Sequence, residues 1–260
     1  MTTPNDGCAW VTGASSGIGR AVALRLARDG WTVAASARGE DALEELATAT
    51  EDARGRVVPA PCDVTDRKAV EKTIDRLVAD HGGVALAVLN AGLYLPDRAD
   101  DLDMGAFDKQ VQLNLLGTVG CVAALMPHWL KTRKGHLAVV SSVAGYSGLP
   151  GSLAYGATKA ALINFCEGLR FDFKRLGLKV QLVNPGFVKT PLTDKNEFPM
   201  PFLMPAEKAA KRIVSGLQSR RFEVTFPKRF TWMVKATAAL PDFIYFPIIG
   251  RLTGSRSRSA

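Results

Sequence analysis

A doubly wound α/β fold, built on a parallel sheet of about seven strands with helices on both faces, is what this sequence predicts, on three observations. Short runs rich in Val and Ala alternate with longer segments of helical period, which is the pattern of successive βαβ units. The short runs are continuously apolar instead of alternating, as strands covered on both faces are. The first run ends in a glycine-rich turn, Thr12-Gly-Ala-Ser-Ser-Gly-Ile-Gly19, that opens the first helical segment.

Taken in order, strands are expected at Cys8–Thr12, Thr32–Ser36, Arg56–Pro61, Ala85–Leu89, Leu137–Ser141, Val180–Asn184 and Glu223–Phe226. Helices are expected at Gly17–Asp29, Asp41–Thr50, Asp66–Asp80, Phe107–Leu130, Ser152–Leu176 and Ala206–Gln218. Asp66 and Ser152 are placed to cap helix starts, and Gly30, Gly82 and Gly177 stand where helices should stop. Residues 1–226 then form a single domain. Within it, Phe187–Pro205 carries four prolines and no clear period, so it reads as an irregular segment on the substrate side. An apolar and basic extension covers 227–260 and ends in the polar stretch Gly254–Ala260, which reads as a frayed terminus.

Composition, at 47% apolar and 22% charged, suits a globular chain and argues against disorder or a fibrous repeat. The net charge of +8 is dispersed, with many Lys and Arg beside Asp or Glu, so a solvated basic surface is expected and no nucleic-acid partner. Cys8, Cys62, Cys121 and Cys166 lie far apart without a CxxC pair, and the three histidines are scattered, so reduced thiols and no metal are expected; Met1 to Gly7 is polar, with no apolar signal segment before the glycine turn, so a cytoplasmic setting is expected.

Glycines at 13, 17 and 19, between a strand and a helix, let a pyrophosphate approach the backbone without meeting Cβ atoms. The helix N-terminus then aims free N–H groups at the phosphates. This is a Rossmann-type dinucleotide site, with the spacing GxxxGxG in place of GxGxxG. After the second strand comes Ala37-Arg38-Gly39, with no carboxylate at the strand end. Arg38, aided by Ser15, suits a 2′-phosphate, so NADP(H) is expected as cofactor; the alternative is that Glu40 or Asp41 reaches the ribose and Arg38 is solvated.

Seven segments in order, Thr12–Gly19, Cys62-Asp63-Val64, Asn90-Ala91-Gly92, Asn114, Ser141-Ser142, Tyr155-Gly-Ala-Thr-Lys159 and Asn184-Pro185-Gly186, resemble the short-chain dehydrogenase/reductase family, over about Cys8 to Thr190. The resemblance implies that Gly13, Ser15, Ser16, Gly17, Ile18 and Gly19 hold the phosphates. It also implies that Asp63 and Val64 cap the adenine, that Asn90, Ala91 and Gly92 line the adenosine side, and that Pro185, Gly186, Val188 and Thr190 hold the carboxamide end. Thr158 stands where serine is more usual, and the tail after Pro227 is longer and more aromatic than the common pattern.

Reducing a ketone requires a hydride on the carbonyl carbon and a proton for the oxygen. Tyr155 is the candidate acid and base, and Lys159, one helical turn on, shares its face and is expected to favour the phenolate while holding the nicotinamide ribose. Ser142 and Ser141 compete for the role of carbonyl donor; the offset of thirteen residues before the tyrosine, usual in the family, selects Ser142. Asn114 is a polar residue in an apolar helical stretch that must find a partner if buried. By resemblance it positions a water that relays protons from Lys159; alternatively it is simply a satisfied buried amide.

Tyr94, Leu95, Val143 to Pro150 and the irregular segment, with Phe198, Met200, Phe202, Leu203 and Met204, are expected to wall the substrate pocket, unless those side chains pack on the protein itself. Tyr94, Val143, Ser142 and Tyr155 are the expected substrate contacts. The set suggests a lipophilic, sterol-like or acyl carbonyl or alcohol. The tail contains Pro241 and Pro247 and cannot span a bilayer. It packs on the core or a second subunit, touches a membrane surface, or forms a lid. The expected protein is an NADP(H)-dependent oxidoreductase, a homo-oligomer (dimer or tetramer), cytoplasmic or membrane-associated; the rival is a redox sensor that binds NADP(H) without turnover.

Overall fold

In the computed structural model, residues 2–195 and 200–253 are described. The strands are β1 (Cys8–Thr12), β2 (Thr32–Ser36), β3 (Arg56–Pro59), β4 (Val84–Leu89), β5 (His136–Val140), β6 (Lys179–Pro185), β7 (Val188–Lys189), β8 (Met204–Pro205) and β9 (Glu223–Phe226). Seven of them make one sheet in the order β3-β2-β1-β4-β5-β6-β9, and every pairing in it is parallel. The chain leaves β1 toward β2 and β3, then crosses back to β4 on the other side of β1. That reversal opens a crevice at the carboxyl ends of β1 and β4, where ligands of such sheets bind.

The helices are α1 (Gly17–Arg28), α2 (Asp41–Thr48), α3 (Arg67–His81), α4 (Met104–Gln110), α5 (Thr118–Thr132), α6 (Leu153–Leu176), α7 (Ala206–Leu217), α8 (Lys228–Ala238) and α9 (Asp242–Leu252). Strand residues alternate between two cores because successive side chains point to opposite faces. Ala9 and Val11 of β1 join Val33 and Ala35 under α1, α2 and α7, whereas Cys8 and Trp10 join Ala34 under α3, α5 and α6. Trp10 meets its polar demand inside the sheet: its Nε1 donates to Ser36 Oγ at 2.8 Å, and Ser36 Oγ donates to the Ala60 carbonyl at 2.6 Å.

Several elements depart from expectation. The third strand stops at Pro59, two residues early. The helix expected over Phe107–Leu130 runs from Met104 to Thr132, and its middle, Val111–Gly117, is π-helical. Its length and apolarity would suit a membrane crossing, yet Cys121, Val122, Leu125 and Trp129 are buried in the core, and Trp129 Nε1 donates to the Val84 carbonyl at 2.6 Å. The segment over Phe187–Pro205 is not wholly irregular, since β7 and β8 pair in parallel. No helix was expected in the tail, where the prolines read as breakers. Pro227 and Pro241 instead precede α8 and α9 at their N-cap positions, where a missing N–H costs nothing, and only Pro247 lies inside a helix. The polar end over 254–260 lies outside the described residues.

Candidate active site

The carboxyl ends of β1, β4, β5 and β6 floor one cleft of about 1580 Å³. On one flank, Gly13, Ser15, Ser16, Gly17 and Ile18 line it, with Arg38 opposite Asp63 and Val64. Toward the centre come Asn90, Ala91 and Gly92, then Ser142, Val143, Tyr155, Lys159 and Tyr94. Pro185, Gly186, Val188 and Thr190 also line it, and Thr190 reaches the glycine turn at Gly17. Residues from seven separate segments thus share one cavity. Phe198 lies outside the described residues.

The turn after β1 leaves no room for side chains. Gly13 and Gly17 hold φ of +65° and +53°, and a Cβ at Gly17 would stand 2.9 Å from Thr190 Cγ2. Ser16 begins α1 in extended conformation with no side-chain cap, so the N–H groups of the first turn remain for an anion. Gly19, expected among the phosphate contacts, is buried and does not line the cleft. A Cβ there would lie 2.2 Å from the Gly13 carbonyl oxygen, so this glycine lets α1 pack beneath the turn. Thr12 Oγ1 accepts from the backbone N–H of both Asn90 (3.0 Å) and Ala91 (3.1 Å), and Asn90 Nδ2 donates to the Thr12 carbonyl at 3.2 Å. These bonds stitch β1 to the end of β4. Asp63 Oδ1 accepts from Thr65, and that backbone bond holds its carboxyl below the usual range despite partial burial.

Arg38 is exposed on the cleft wall and, among the described residues, forms no ion pair. Glu40 and Asp41 lie at the start of α2 and do not line the cleft. The residues present therefore fit a dinucleotide bearing a 2′-phosphate: a turn kept bare of side chains by close packing, an uncapped helix start, and an exposed guanidinium outside any ion pair among the described residues, near enough to Asp63 to lower its carboxyl.

At the centre, Ser141 Oγ is engaged, donating to the Lys159 carbonyl at 2.8 Å. Ser142 Oγ accepts from Ala144 N–H at 3.1 Å and faces the cleft, where it hydrogen-bonds the Tyr155 hydroxyl. Gly145 brings this loop against α6, where a Cβ would stand 2.7 Å from the Lys159 carbonyl carbon. Lys159 is 4% exposed and donates to the Val140 carbonyl at 3.0 Å, with its ammonium 5.5 Å from the centroid of the Tyr155 ring. Burial lowers the Lys159 ammonium to about 8. Burial also raises the Tyr155 phenol to about 12, against the expectation that the lysine would hold it down. Desolvation outweighs the hydrogen bond from Ser142, and the Lys159 ammonium turns one of its three N–H groups to a backbone carbonyl.

Asn114 does not line the cleft. Its Oδ1 accepts from Leu93 N–H at 2.7 Å, and its Nδ2 donates to the Leu93 carbonyl at 2.9 Å and to Thr158 Oγ1 at 3.2 Å. These bonds satisfy its buried side-chain amide. One turn earlier, Gln110 does the same for Leu95, accepting from its N–H and donating to its carbonyl, both at 3.1 Å. Two amides spaced i, i+4 along a helix match two strand residues spaced i, i+2, about 6 Å in each case. Gln110 and Asn114 therefore act as a surrogate strand for Leu93–Leu95. That pairing fixes Tyr94 between them, whose ring meets Tyr155 edge-on with centroids 5.2 Å apart and whose hydroxyl donates to the Gly151 carbonyl at 3.0 Å.

Ser152 occupies the N-cap of α6, but its side chain makes no capping bond, contrary to expectation. The carboxylate of Asp97, buried and 56 residues before Leu153, accepts from Leu153 N–H and Ala154 N–H, each at 2.6 Å. Sequence reasoning missed Asp97 and Gln110, because each one's partner is backbone outside its own element and each stands among other polar residues, so nothing local marks it. Asp97→Ala should lower stability by about 1–2 kcal/mol, the usual loss for a helix cap. Thermal unfolding of variant and wild type checks this.

In the irregular segment, Met204 is buried in the core, Pro201 lines the cleft, and Phe202 and Leu203 are exposed. The expected apolar wall is therefore divided, and the tail contributes most of it. Phe230, Met233, Val234 and Thr237 of α8, and Ile248, Ile249 and Leu252 of α9, line the cleft. Two anchors hold these helices. Glu223 of β9 pairs with Lys235 and accepts from Tyr146 OH at 2.5 Å and Asn184 Nδ2 at 2.7 Å. Tyr245 OH donates to the Gly148 carbonyl at 2.7 Å, with Ser147 Oγ 2.9 Å away.

A family model described as short chain dehydrogenase matches residues 7–199. An uncharacterised oxidoreductase of Myxococcus xanthus is 38% identical over 244 residues, 94% of this chain and 96% of that protein. Among solved structures, an actinorhodin polyketide ketoreductase with NADPH superposes with a TM-score of 0.78 at 25% identity, covering 87% of this chain and 97% of its own. A short-chain dehydrogenase from Sphingobium yanoikuyae in complex with NADPH gives 0.78 at 25% identity, with 88% and 92% covered. With the parallel sheet, the glycine turn and the serine, tyrosine and lysine all at one cleft, this chain belongs to the short chain dehydrogenase family of oxidoreductases.

Proposed function

We propose that this protein uses NADP(H) to interconvert a lipophilic ketone or aldehyde and its alcohol. The observation that carries the reading is the meeting of Ser142, Tyr155 and the buried Lys159 in the cleft that the glycine turn opens. The solved relatives that hold NADPH support the cofactor, and so does the exposed Arg38. Gly13, Ser15, Ser16, Gly17 and Ile18 would hold the pyrophosphate, Arg38 the 2′-phosphate, and Pro185, Gly186, Val188 and Thr190 the nicotinamide end. Asp63, Val64, Asn90, Ala91 and Gly92 would flank the adenosine.

When bound, the cofactor supplies or accepts the hydride. The chain's own residues handle the oxygen and its proton. Ser142 donates a hydrogen bond to the substrate oxygen, which draws charge there and orients the carbonyl. Tyr155, a phenol protonated at neutral pH and held more firmly so by burial, delivers the proton as that charge builds. Lys159 places a positive charge beside the phenol and steadies the phenolate left behind. Asn114 holds the Leu93 backbone and Thr158, the neighbour of Lys159, so that any water relay from the lysine has a rigid wall. The apolar side chains of α8 and α9 exclude water and suit a lipophilic substrate.

The test is NADPH oxidation with a panel of hydrophobic ketones and aldehydes. Tight cofactor binding with no turnover on any of them would favour a redox sensor. Arg38→Asp should reverse cofactor preference, weakening NADPH by about two orders of magnitude in kcat/KM through loss of the bidentate phosphate contact. Equal use of NADH and NADPH before and after the change would remove Arg38 from the argument.

A further inference from the structure

We propose that the outer face of α8 and α9 docks on an anionic lipid bilayer, with the mouth of the cleft turned toward it. Each helix carries two apolar faces. On α8, Phe230, Met233, Val234 and Thr237, spaced i, i+3, i+4, i+7, line the cleft, while Arg229, Trp232 and Ala236 point away from it and are exposed. On α9, Tyr245, Ile248, Ile249 and Leu252 repeat the inward spacing, and Phe243 and Phe246 lie on the opposite side. Trp232 is 70% exposed, Phe243 78% and Phe246 64%. Helices that needed only to roof a cleft would carry polar residues outside.

Charge decides between occupants. The helix pair carries Lys228, Arg229, Lys235 and Arg251 against Asp242, and Lys235 is already paired with Glu223. That leaves three cations to one anion among the exposed residues, and the sequence continues with Arg256 and Arg258 and no acid. A two-fold contact between copies would set this positive face against itself. Large aromatics among basic side chains match a bilayer interface, where the rings enter the headgroup region and the cations meet anionic lipid. The helices are also held firmly enough to present that face, by the pair between Lys235 and Glu223 and by Tyr245 on the Gly148 carbonyl. Leu252, 74% exposed, and Met233, half-exposed, line the cleft as well as facing solvent, so apolar surface runs from the outer face into the cleft. That continuity gives a membrane-dissolved substrate a path that avoids water, a consequence that rests on the lipophilic reading above; the docking itself does not.

The experiment is co-sedimentation of the full chain with vesicles of phosphatidylcholine alone and of phosphatidylcholine mixed with phosphatidylglycerol. The protein should sediment with the mixed vesicles at low salt and be released at high salt. The triple change Trp232→Ser, Phe243→Ser and Phe246→Ser should weaken vesicle binding by about tenfold or more. None of the three residues lines the cleft, so NADPH oxidation with a small water-soluble carbonyl should be unchanged. Failure of the wild type to sediment with anionic vesicles would overturn the proposal. So would a wild-type dimer that the triple change converts to monomer with no vesicle binding, which would assign the face to a second copy. Vesicle binding needs no turnover, so absence of activity on every carbonyl would sink the enzymatic reading and leave this result standing.

Discussion

Tyr155→Phe should leave NADPH affinity within about twofold of wild type while lowering kcat for carbonyl reduction by about a thousandfold or more, the scale of a lost general acid. The ring itself is kept. Its edge contact with Tyr94 and its place on α6 do not involve the hydroxyl, so the cleft should hold its shape. What disappears is the proton donor to the substrate oxygen, a loss of about 4 kcal/mol of barrier stabilisation at 1.36 kcal/mol per tenfold. The wild-type pH profile has a direction too. With the phenol pushed up to about 12, reduction should be flat through neutral pH, whereas alcohol oxidation, which needs phenolate, should rise with pH up to about 8, above which loss of the Lys159 charge opposes the rise. Cofactor titration by fluorescence and steady-state rates in both directions check this. A Phe variant that keeps a tenth of its activity would remove Tyr155 from the proton transfer.

The parts of the site that could be read in the sequence are those whose geometry is local. Tyr155 and Lys159 share a helix face by spacing alone, and Gly13, Gly17 and Gly19 mark a turn whose backbone has to lie close to something. The sheet was legible because parallel strands buried on both faces leave continuous apolar runs. Long-range pairings left no such trace. Nothing near Ser152 says that the α6 cap comes from Asp97, and a serine before a helix is the better local guess. The surrogate strand formed by Gln110 and Asn114 depends on which loop folds alongside, and the π-helical stretch that carries Asn114, seven residues long, is too short for its period to betray it. In the tail, Pro227, Pro241 and Pro247 hid two helices. Apolar residues on both sides of each also blurred the one-faced period by which a packed helix is recognised.

Lys159→Met should abolish measurable turnover and make the cofactor-free protein more stable, because the lysine is a charge held in the core at a cost. Its folded-state value of about 8 lies below the ordinary 10.5, so at pH 7 keeping it protonated costs about 3 kcal/mol at 1.36 kcal/mol per unit. Methionine fills a similar volume without that cost, though the Val140 carbonyl loses its donor, a penalty of about 1–2 kcal/mol. The expected net gain at pH 7 is therefore about 1–2 kcal/mol in denaturant unfolding. The sign with pH follows from proton counts. Between pH 8 and 10.5 the unfolded chain holds this proton and the folded one has lost it, so wild-type stability rises through that window relative to the variant. The four buried thiols, all raised by burial, destabilise the folded state in the same alkaline range, but they are common to both proteins and cancel in the difference. The gap between the two proteins should thus narrow, then reverse, as pH climbs toward 10.5, where a neutral amine bonded to Val140 is an asset. A methionine variant less stable than wild type by several kcal/mol at pH 7 would mean that the ammonium supports the fold, and that its burial is no sign of a charge kept for chemistry.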